Sequence, residues 1–141
     1  MKIQFLHPVA FVRDIEVSKR FYSDLLGLKI IEDHEVYILF EMHFSIHQAK
    51  ALTRTIFGKE SPDALHPQGK NNMLFYFEVD DLEGTFLRIN GQIDLIHPIV
   101  RQDWGQQVFR FRDPDGHIIE IGEPMVNYSD WASYSGKFFN L

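Results

Sequence analysis

The sequence predicts an α+β fold built from two copies of a βαβββ module. The main observation is an internal repeat, because HPVAFVRDIE at 7–16 and LFYFEVDDLE at 74–83 align without gaps. In both copies an alternating apolar run leads into a helical pattern, and three further strand-like runs follow. A single duplicated unit therefore accounts for most of the chain.

Each module is predicted to open with a strand that leads into a helix capped by an aspartate. Asp14 and Asp81 precede the helical patterns, where a carboxylate accepts hydrogen bonds from the free amides of the first turn. The first helix is predicted over 15–26, before Gly27, and the second over 82–89. The later strands are predicted at 28–31, 36–42 and 44–48 in the first module and at 93–100, 107–112 and 117–121 in the second.

The segment between the modules has the composition of a connection. It contains Gly58, Pro62, Pro67 and Gly69 and shows no sustained period, so we interpret it as a linker or lid loop. The end of the chain is rich in aromatic residues, which could pack across the domain or against a partner. The predicted boundaries are one domain at 1–125, with module one at 3–50, the linker at 51–72 and module two at 73–123, followed by an aromatic tail at 126–141.

Composition limits the possible partners. The 141 residues include 14 basic and 20 acidic side chains, a formal charge of −6 without a basic block, which argues against nucleic acid and anionic membranes as partners. The absence of cysteine excludes disulfides, thiolate metal ligands and a cysteine nucleophile. The stretch MKIQFLHPVAF becomes polar too soon to be expected to act as a signal sequence, and no apolar run approaches the length of a membrane span. We therefore expect a cytoplasmic protein whose partner is a small molecule or another protein.

The opening stretch HPVAFVRDIEVSKRFYSDLLGLKI and the closing stretch FRDPDGHIIEI resemble the vicinal oxygen chelate superfamily. That superfamily includes glyoxalase I, the extradiol dioxygenases and the bleomycin-binding proteins, and the resemblance covers about residues 3–123. It implies a cup-shaped mixed sheet with helices on the convex face, and a homodimer. Fold alone does not determine the chemistry.

The resemblance also implies a divalent metal held by the first and last strands of each module. The matching positions are His7, His47, Leu74 and Glu120, of which Leu74 cannot bind a metal. Two imidazoles and a carboxylate would leave positions open for substrate oxygens on Zn, Ni, Fe, Mn or Co. Glu120 would also be the catalytic residue, moving a substrate proton. Leu74 excludes the full ligand set of glyoxalase I and departs from that of the extradiol dioxygenases.

Each candidate has a structural alternative. His7 could be a hydrogen-bonded structural residue. Glu120 lies between two isoleucines and needs a partner for its charge, which could be Arg110 or Arg112 instead of a metal. His117 should point away from Glu120, so we interpret it as a turn or surface residue.

Three residues are predicted to contact the substrate. Arg110 and Arg112 alternate with phenylalanines and could hold an anionic substrate, with a solvated sheet edge as the alternative. Tyr76 could supply a phenol, with packing as its alternative.

These residues allow three interpretations. The first is a glyoxalase-like metal-dependent lyase, isomerase or oxygenase that acts on a small oxygen-chelating substrate. The second is a metal-free ligand-sequestering protein of the bleomycin-resistance type. The third is a domain whose site has decayed.

Overall fold

The computed structural model describes residues 1–125, and the predicted tail at 126–141 lies outside the described residues. Within residues 1–125 the α-helices are α1 Ile15–Arg20, α2 Ala49–Phe57 and α3 Leu82–Ile89. The eight strands are β1 Val9–Val12, β2 Ile30–Asp33, β3 Tyr37–Phe40, β4 Phe44–Gln48, β5 Leu74–Glu78, β6 Asp94–Arg101, β7 Gln107–Arg112 and β8 Ile118–Gly122. None of the helices in this part of the chain is long and apolar enough to cross a membrane.

The strands form two four-stranded mixed sheets with the same order, β1-β4-β3-β2 and β5-β8-β7-β6. In the first sheet β1 runs parallel to β4, whereas β3 is antiparallel to both β4 and β2. This repeated topology confirms the α+β class and the pair of βαβββ modules that the internal repeat predicted.

One face of the first sheet is apolar and packs against helix α1. Asp14 caps α1, because its Oδ1 accepts from the amides of Glu16 and Val17 at 3.1 and 3.2 Å. The helix continues as a π-helical turn over Phe21–Leu25, which contains the fully buried Tyr22. The Tyr22 ring lies 5.0 Å from that of Phe44 on β4. The opposite face of this sheet is therefore left for polar residues.

The Asp-Pro-Asp-Gly turn that precedes β8 is organised by the buried carboxylate of Asp113. Its Oδ1 accepts from the amides of Asp115 and His117, both at 2.9 Å. Its Oδ2 accepts from the hydroxyl of Tyr22 at 2.6 Å. Burial and the Asp113 carboxylate raise the pKa of Tyr22, so this hydroxyl stays a donor. The Asp113 side chain thus joins the end of the first helix, at Tyr22, to the Asp-Pro-Asp-Gly turn.

His117 lies at the end of this turn, which is one of its two expected positions, and it is not a surface residue. It is 9% exposed, and its Nε2 lies 2.9 Å from the carbonyl oxygen of Phe11 on β1. The neighbouring Asp115 is also buried, and its Oδ1 accepts from the amides of Arg13 and Gln68 at 3.0 and 3.1 Å. These hydrogen bonds offset the burial of His117 and of Oδ1 of Asp115, whereas Oδ2 of Asp115 is buried without a hydrogen-bond partner among the described residues.

The segment predicted as a linker or lid loop begins with a helix. Helix α2 covers Ala49–Phe57, with Ala49 and Thr53 on its buried face, and the first glycine of the segment, Gly58, ends it. Further on, Gly69 donates its amide to the carbonyl of Asp115 at 2.9 Å. A Cβ at position 69 would overlap the backbone of Gly116, so only glycine fits this close approach.

The second sheet has an apolar face that contacts the third helix. Asp81 caps α3 through a 2.9 Å bond from the amide of Gly84 to its Oδ1. The ring of Phe86 on α3 lies 5.1 Å from that of Phe109 on β7, and Phe109 and Phe111 are fully buried. Because side chains alternate along a strand, Arg110 lies on the opposite face.

Replacing Tyr22 by phenylalanine tests the bond between the helix and the turn. Tyr22→Phe leaves the buried Oδ2 of Asp113 without this donor, so the free energy of unfolding should fall by about 1–3 kcal/mol. Urea unfolding measures the loss. Tyr37→Phe is the control, because the half-buried Tyr37 hydroxyl has only a 3.5 Å contact with His7. Equal effects of the two substitutions would contradict this role of Asp113.

Asp115 should make stability depend on pH. Burial is the main cause that raises the pKa of Asp115 above 3.8, so the folded chain holds this proton more tightly than the unfolded chain. Its contribution to the free energy of unfolding therefore grows as the pH falls through the raised pKa towards 3.8, and is absent above the raised pKa.

Urea unfolding of wild type and Asp115→Asn across this pH window tests the assignment. As the pH falls, the free energy of unfolding of Asp115→Asn should decrease relative to that of wild type. Asp63→Asn, at an exposed carboxylate, should follow the wild-type profile. Parallel profiles for Asp115→Asn and wild type would show that folding does not raise the pKa of the Asp115 carboxyl.

Candidate functional site

The polar face of the first sheet carries both histidines that were predicted as metal ligands. Tyr37 pairs with His47 across β3 and β4, and their ring centroids lie 5.7 Å apart. Ser45 shares the His47 face, as predicted, and its Oγ lies 3.2 Å from Nδ1 of His7. His7 also places Nε2 3.5 Å from the Tyr37 hydroxyl. Tyr37 thus contacts both histidines, His47 through its ring and His7 through its hydroxyl, and Ser45 contacts His7.

Both imidazoles have the orientation that a metal-binding histidine uses. Nδ1 of His7 lies 3.1 Å from the carbonyl of Pro8, and Nδ1 of His47 lies 3.2 Å from the carbonyl of Gln48. When Nδ1 carries the proton and donates it to a carbonyl, Nε2 keeps its lone pair for a metal. Metal-bound histidines usually make such a hydrogen bond with their second ring nitrogen. These two side chains are therefore suited to bind a divalent ion.

Glu120, the third predicted ligand, is engaged in an ion pair on the second sheet. It is 7% exposed, and its Oε1 accepts from Nε and Nη2 of Arg110 at 2.7 and 2.6 Å. The arginine therefore neutralises the carboxylate between Ile119 and Ile121. Of the two arginines considered for this pair, Arg110 is the partner.

Arg110 is itself held by two further acceptors. Its Nη1 lies 3.1 Å from Nε2 of His97 on β6, and its Nη2 donates to Oε1 of Gln102 at 3.1 Å. Nδ1 of His97 lies 2.8 Å from the carbonyl of Pro98, which leaves Nε2 as the acceptor for Arg110. This network of Glu120, Arg110, His97 and Gln102 fixes the guanidinium on the face opposite α3.

Arg112, also predicted as a substrate contact, has a structural role in the turn. Its Nη1 donates to Oδ1 of Asn71 at 2.8 Å and to the carbonyl of Gly116 at 2.9 Å. These bonds tie the end of the linker to the Asp-Pro-Asp-Gly turn.

The predicted metal set of His7, His47 and Glu120 draws on both modules and stays a prediction. Across residues 1–125 no group of three or more histidine, aspartate or glutamate side chains is placed to hold a metal. A divalent ion at Glu120 would also lie beside the Arg110 guanidinium, and like charges repel. Leu74, the fourth position, is a half-exposed apolar side chain at the start of β5. His7 and His47 fit a metal, whereas Glu120 in this arrangement does not.

Tyr76 takes part in a second polar arrangement that was not predicted from the sequence. Its hydroxyl donates to Glu78 and accepts from Nε2 of Gln106 at 2.8 Å. Oε1 of Gln106 accepts from the indole of Trp104 at 2.9 Å. Burial, and next the bond to Glu78, raise the pKa of Tyr76, so the phenol stays protonated. Gly122, a glycine inside an apolar strand, was the one sequence signal for this arrangement, because it marks a close approach.

Comparison with known proteins gives consistent matches. Residues 5–126 match the model of the glyoxalase-like domain. The uncharacterized protein YraH of Bacillus subtilis (strain 168) is 32% identical over 115 residues, which cover 78% of this chain and 90% of that protein.

Two solved structures extend the comparison. A protein of unknown function from Agrobacterium tumefaciens str. C58 is 49% identical, with a TM-score of 0.83 over 89% of this chain and 97% of that chain. A lactoylglutathione lyase from Agrobacterium tumefaciens is 18% identical, with a TM-score of 0.66 over 87% of this chain and 95% of that chain. At that identity the second likeness concerns the fold alone.

The ion pair predicts a strong coupling between Arg110 and Glu120. Arg110→Met leaves a buried carboxylate without its cation and should reduce the free energy of unfolding by roughly 3 kcal/mol. The double variant Arg110→Met, Glu120→Gln should recover most of this loss, because no charge remains buried.

Urea unfolding of the single and double variants completes the cycle. Arg101→Met is the control, since Arg101 is exposed and donates to the carbonyl of Gly105. Additive effects at Arg110 and Glu120 would show that the two side chains do not interact.

Proposed function

Because the chain belongs to the glyoxalase-like domain family, we propose that it binds a small oxygen-bearing organic molecule without a metal ion at Glu120. The family assignment agrees with the resemblance to the vicinal oxygen chelate superfamily. The ion pair between Arg110 and Glu120 is the observation that carries the proposal. It supplies from within the chain the positive charge that a metal would otherwise provide.

The groups around this ion pair suit recognition of a polar small molecule. Arg110 places its guanidinium on the face opposite α3, and the half-exposed Tyr76 adds an aromatic ring with a protonated hydroxyl. Polar groups of this kind orient a ligand that apolar contacts hold. We propose Arg110 and Tyr76 as ligand contacts, and Arg112 as a support for the neighbouring turn.

In this proposal the protein acts as a ligand-binding module of the bleomycin-resistance type. It works as a homodimer in the cytoplasm, and nucleic acid and membranes are not its partners. The acidic composition supports the exclusion of polyanions.

A metal-dependent enzyme is the second candidate, and the histidine orientation favours it. His7 and His47 each direct Nδ1 to a backbone carbonyl, as metal ligands do. In this version His7, His47 and Glu120 hold Zn, Ni, Fe, Mn or Co, which would polarise an oxygen of the substrate. The enzyme would be a lyase, isomerase or oxygenase, with Glu120 as its catalytic residue.

Metal content separates the two candidates. Protein purified without a histidine tag is reconstituted anaerobically with each of the five ions, passed through a desalting column and analysed for bound metal. We expect no stoichiometric retention, because Arg110 already compensates Glu120. Retention of about one ion per chain, lost in His47→Ala but kept in the exposed-site control His34→Ala, would overturn the metal-free proposal.

Thermal stabilisation by small carboxylates, diols and antibiotics, measured with and without EDTA, tests the binding itself. The metal-free proposal expects the same stabilisation in both conditions. Stabilisation that EDTA abolishes would support the enzyme.

A further inference from the structure

Tyr76 and Trp104 are large aromatic side chains that remain exposed although their polar ends are fixed. Tyr76 is 47% exposed and Trp104 is 57% exposed. Their hydroxyl and indole groups bind opposite ends of the Gln106 amide at 2.8 and 2.9 Å. A single side-chain amide thus binds the polar ends of both aromatic side chains. We name Tyr76, Trp104, Gln106 and Glu78 the aromatic corner.

Gln106 is held in place by the structure below the rings. It is 3% exposed, and its Nε2 also donates to the carbonyl of Glu123 at 2.9 Å. A Cβ at position 122 would overlap this side-chain amide, so Gly122 provides the space that it occupies. The buried amide uses both its oxygen and its nitrogen in these bonds. The buried Gln106 amide therefore holds the two exposed rings in place before a ligand binds.

The electrostatic surroundings of the corner are acidic. Glu78 accepts the Tyr76 hydroxyl, and its carboxylate also accepts from the amide of Met125 at 3.3 Å. Glu78 is the charged residue of the corner, whereas the charge of the nearby Glu120 is compensated by Arg110. The faces of tryptophan and tyrosine attract cations through the ring quadrupole, and a nearby carboxylate adds to that attraction.

We propose that the aromatic corner binds a small organic cation, a quaternary or protonated amine with an apolar shell. This inference goes beyond the proposed function, because it concerns the aromatic corner alone and does not involve Arg110. The rings contact the apolar shell, and Glu78 attracts the positive charge. The formal charge of −6 for the whole chain also favours a cationic ligand.

Choline and 3,3-dimethyl-1-butanol are the probes, because they have nearly the same shape and differ in charge. Each is titrated into ¹⁵N-labelled protein in the presence of EDTA, and the indole N–H signals of the two tryptophans are followed. Trp104→Phe assigns the signals. We expect choline to shift the Trp104 signal in a saturable manner, and the neutral alcohol to bind about fivefold more weakly.

Two variants test the roles of the carboxylate and the amide. Glu78→Gln and Gln106→Leu should each weaken choline binding about two- to fivefold. Glu83→Gln removes an exposed acidic charge at the start of α3 and is the matched control, with unchanged affinity expected. The wild-type comparison of the two probes remains decisive even if Gln106→Leu does not fold.

The inference is overturned if choline and the alcohol bind equally, if the Trp104 signal does not move, or if Glu83→Gln weakens binding as much as Glu78→Gln. These outcomes are distinguishable from failure of the proposed function. Retention of a metal that depends on His47 would refute metal-free binding, whatever choline does. If choline does not shift the Trp104 signal, the proposal of metal-free binding at Arg110 is unaffected.

Discussion

The carboxylate of Asp113 is the constraint on which the arrangement around the last strand depends. It accepts three hydrogen bonds, from the hydroxyl of Tyr22 and from the amides of Asp115 and His117. A buried carboxylate is tolerated only when such donors compensate its lost hydration. The same bonds shape the turn and connect it to the end of the first helix. Since β8 begins at the next residue after His117, they also set where the strand carrying Glu120 starts.

Much of the fold could be predicted because its signals are local. The strands at 44–48 and 107–112 agree with prediction to the residue, since alternation and flanking turns define them. Helix α2 was missed because Gln48 supplies no side-chain cap and the buried face is short. The role of Gln106 could not be predicted, because it depends on Tyr76, 30 positions away in the sequence. Tertiary contacts of this kind leave no periodic pattern.

The candidate site shows the same division between local and tertiary information. The position of Glu120 on a buried strand could be predicted, and so could its need for a positive partner. Whether a metal or Arg110 meets that need depends on the neighbouring strand, where His97 and Gln102 hold the guanidinium. The orientation of His7 likewise depends on the carbonyl of Pro8. In this chain Arg110 compensates the charge of Glu120, which the position of Glu120 in the sequence could not show.

The contact of Gly69 with the turn has a consequence for chain entropy. The connection from Gly58 to β5 would be a long loop if it were tied down only at its two ends. Its attachment to Asp115 through Gln68 and Gly69 divides it into two shorter loops. The entropy of closing a loop grows only slowly with its length, so insertions between Gly58 and Gln68 should be tolerated better than any side chain at Gly69. Length can vary in this connection, whereas its anchoring point cannot.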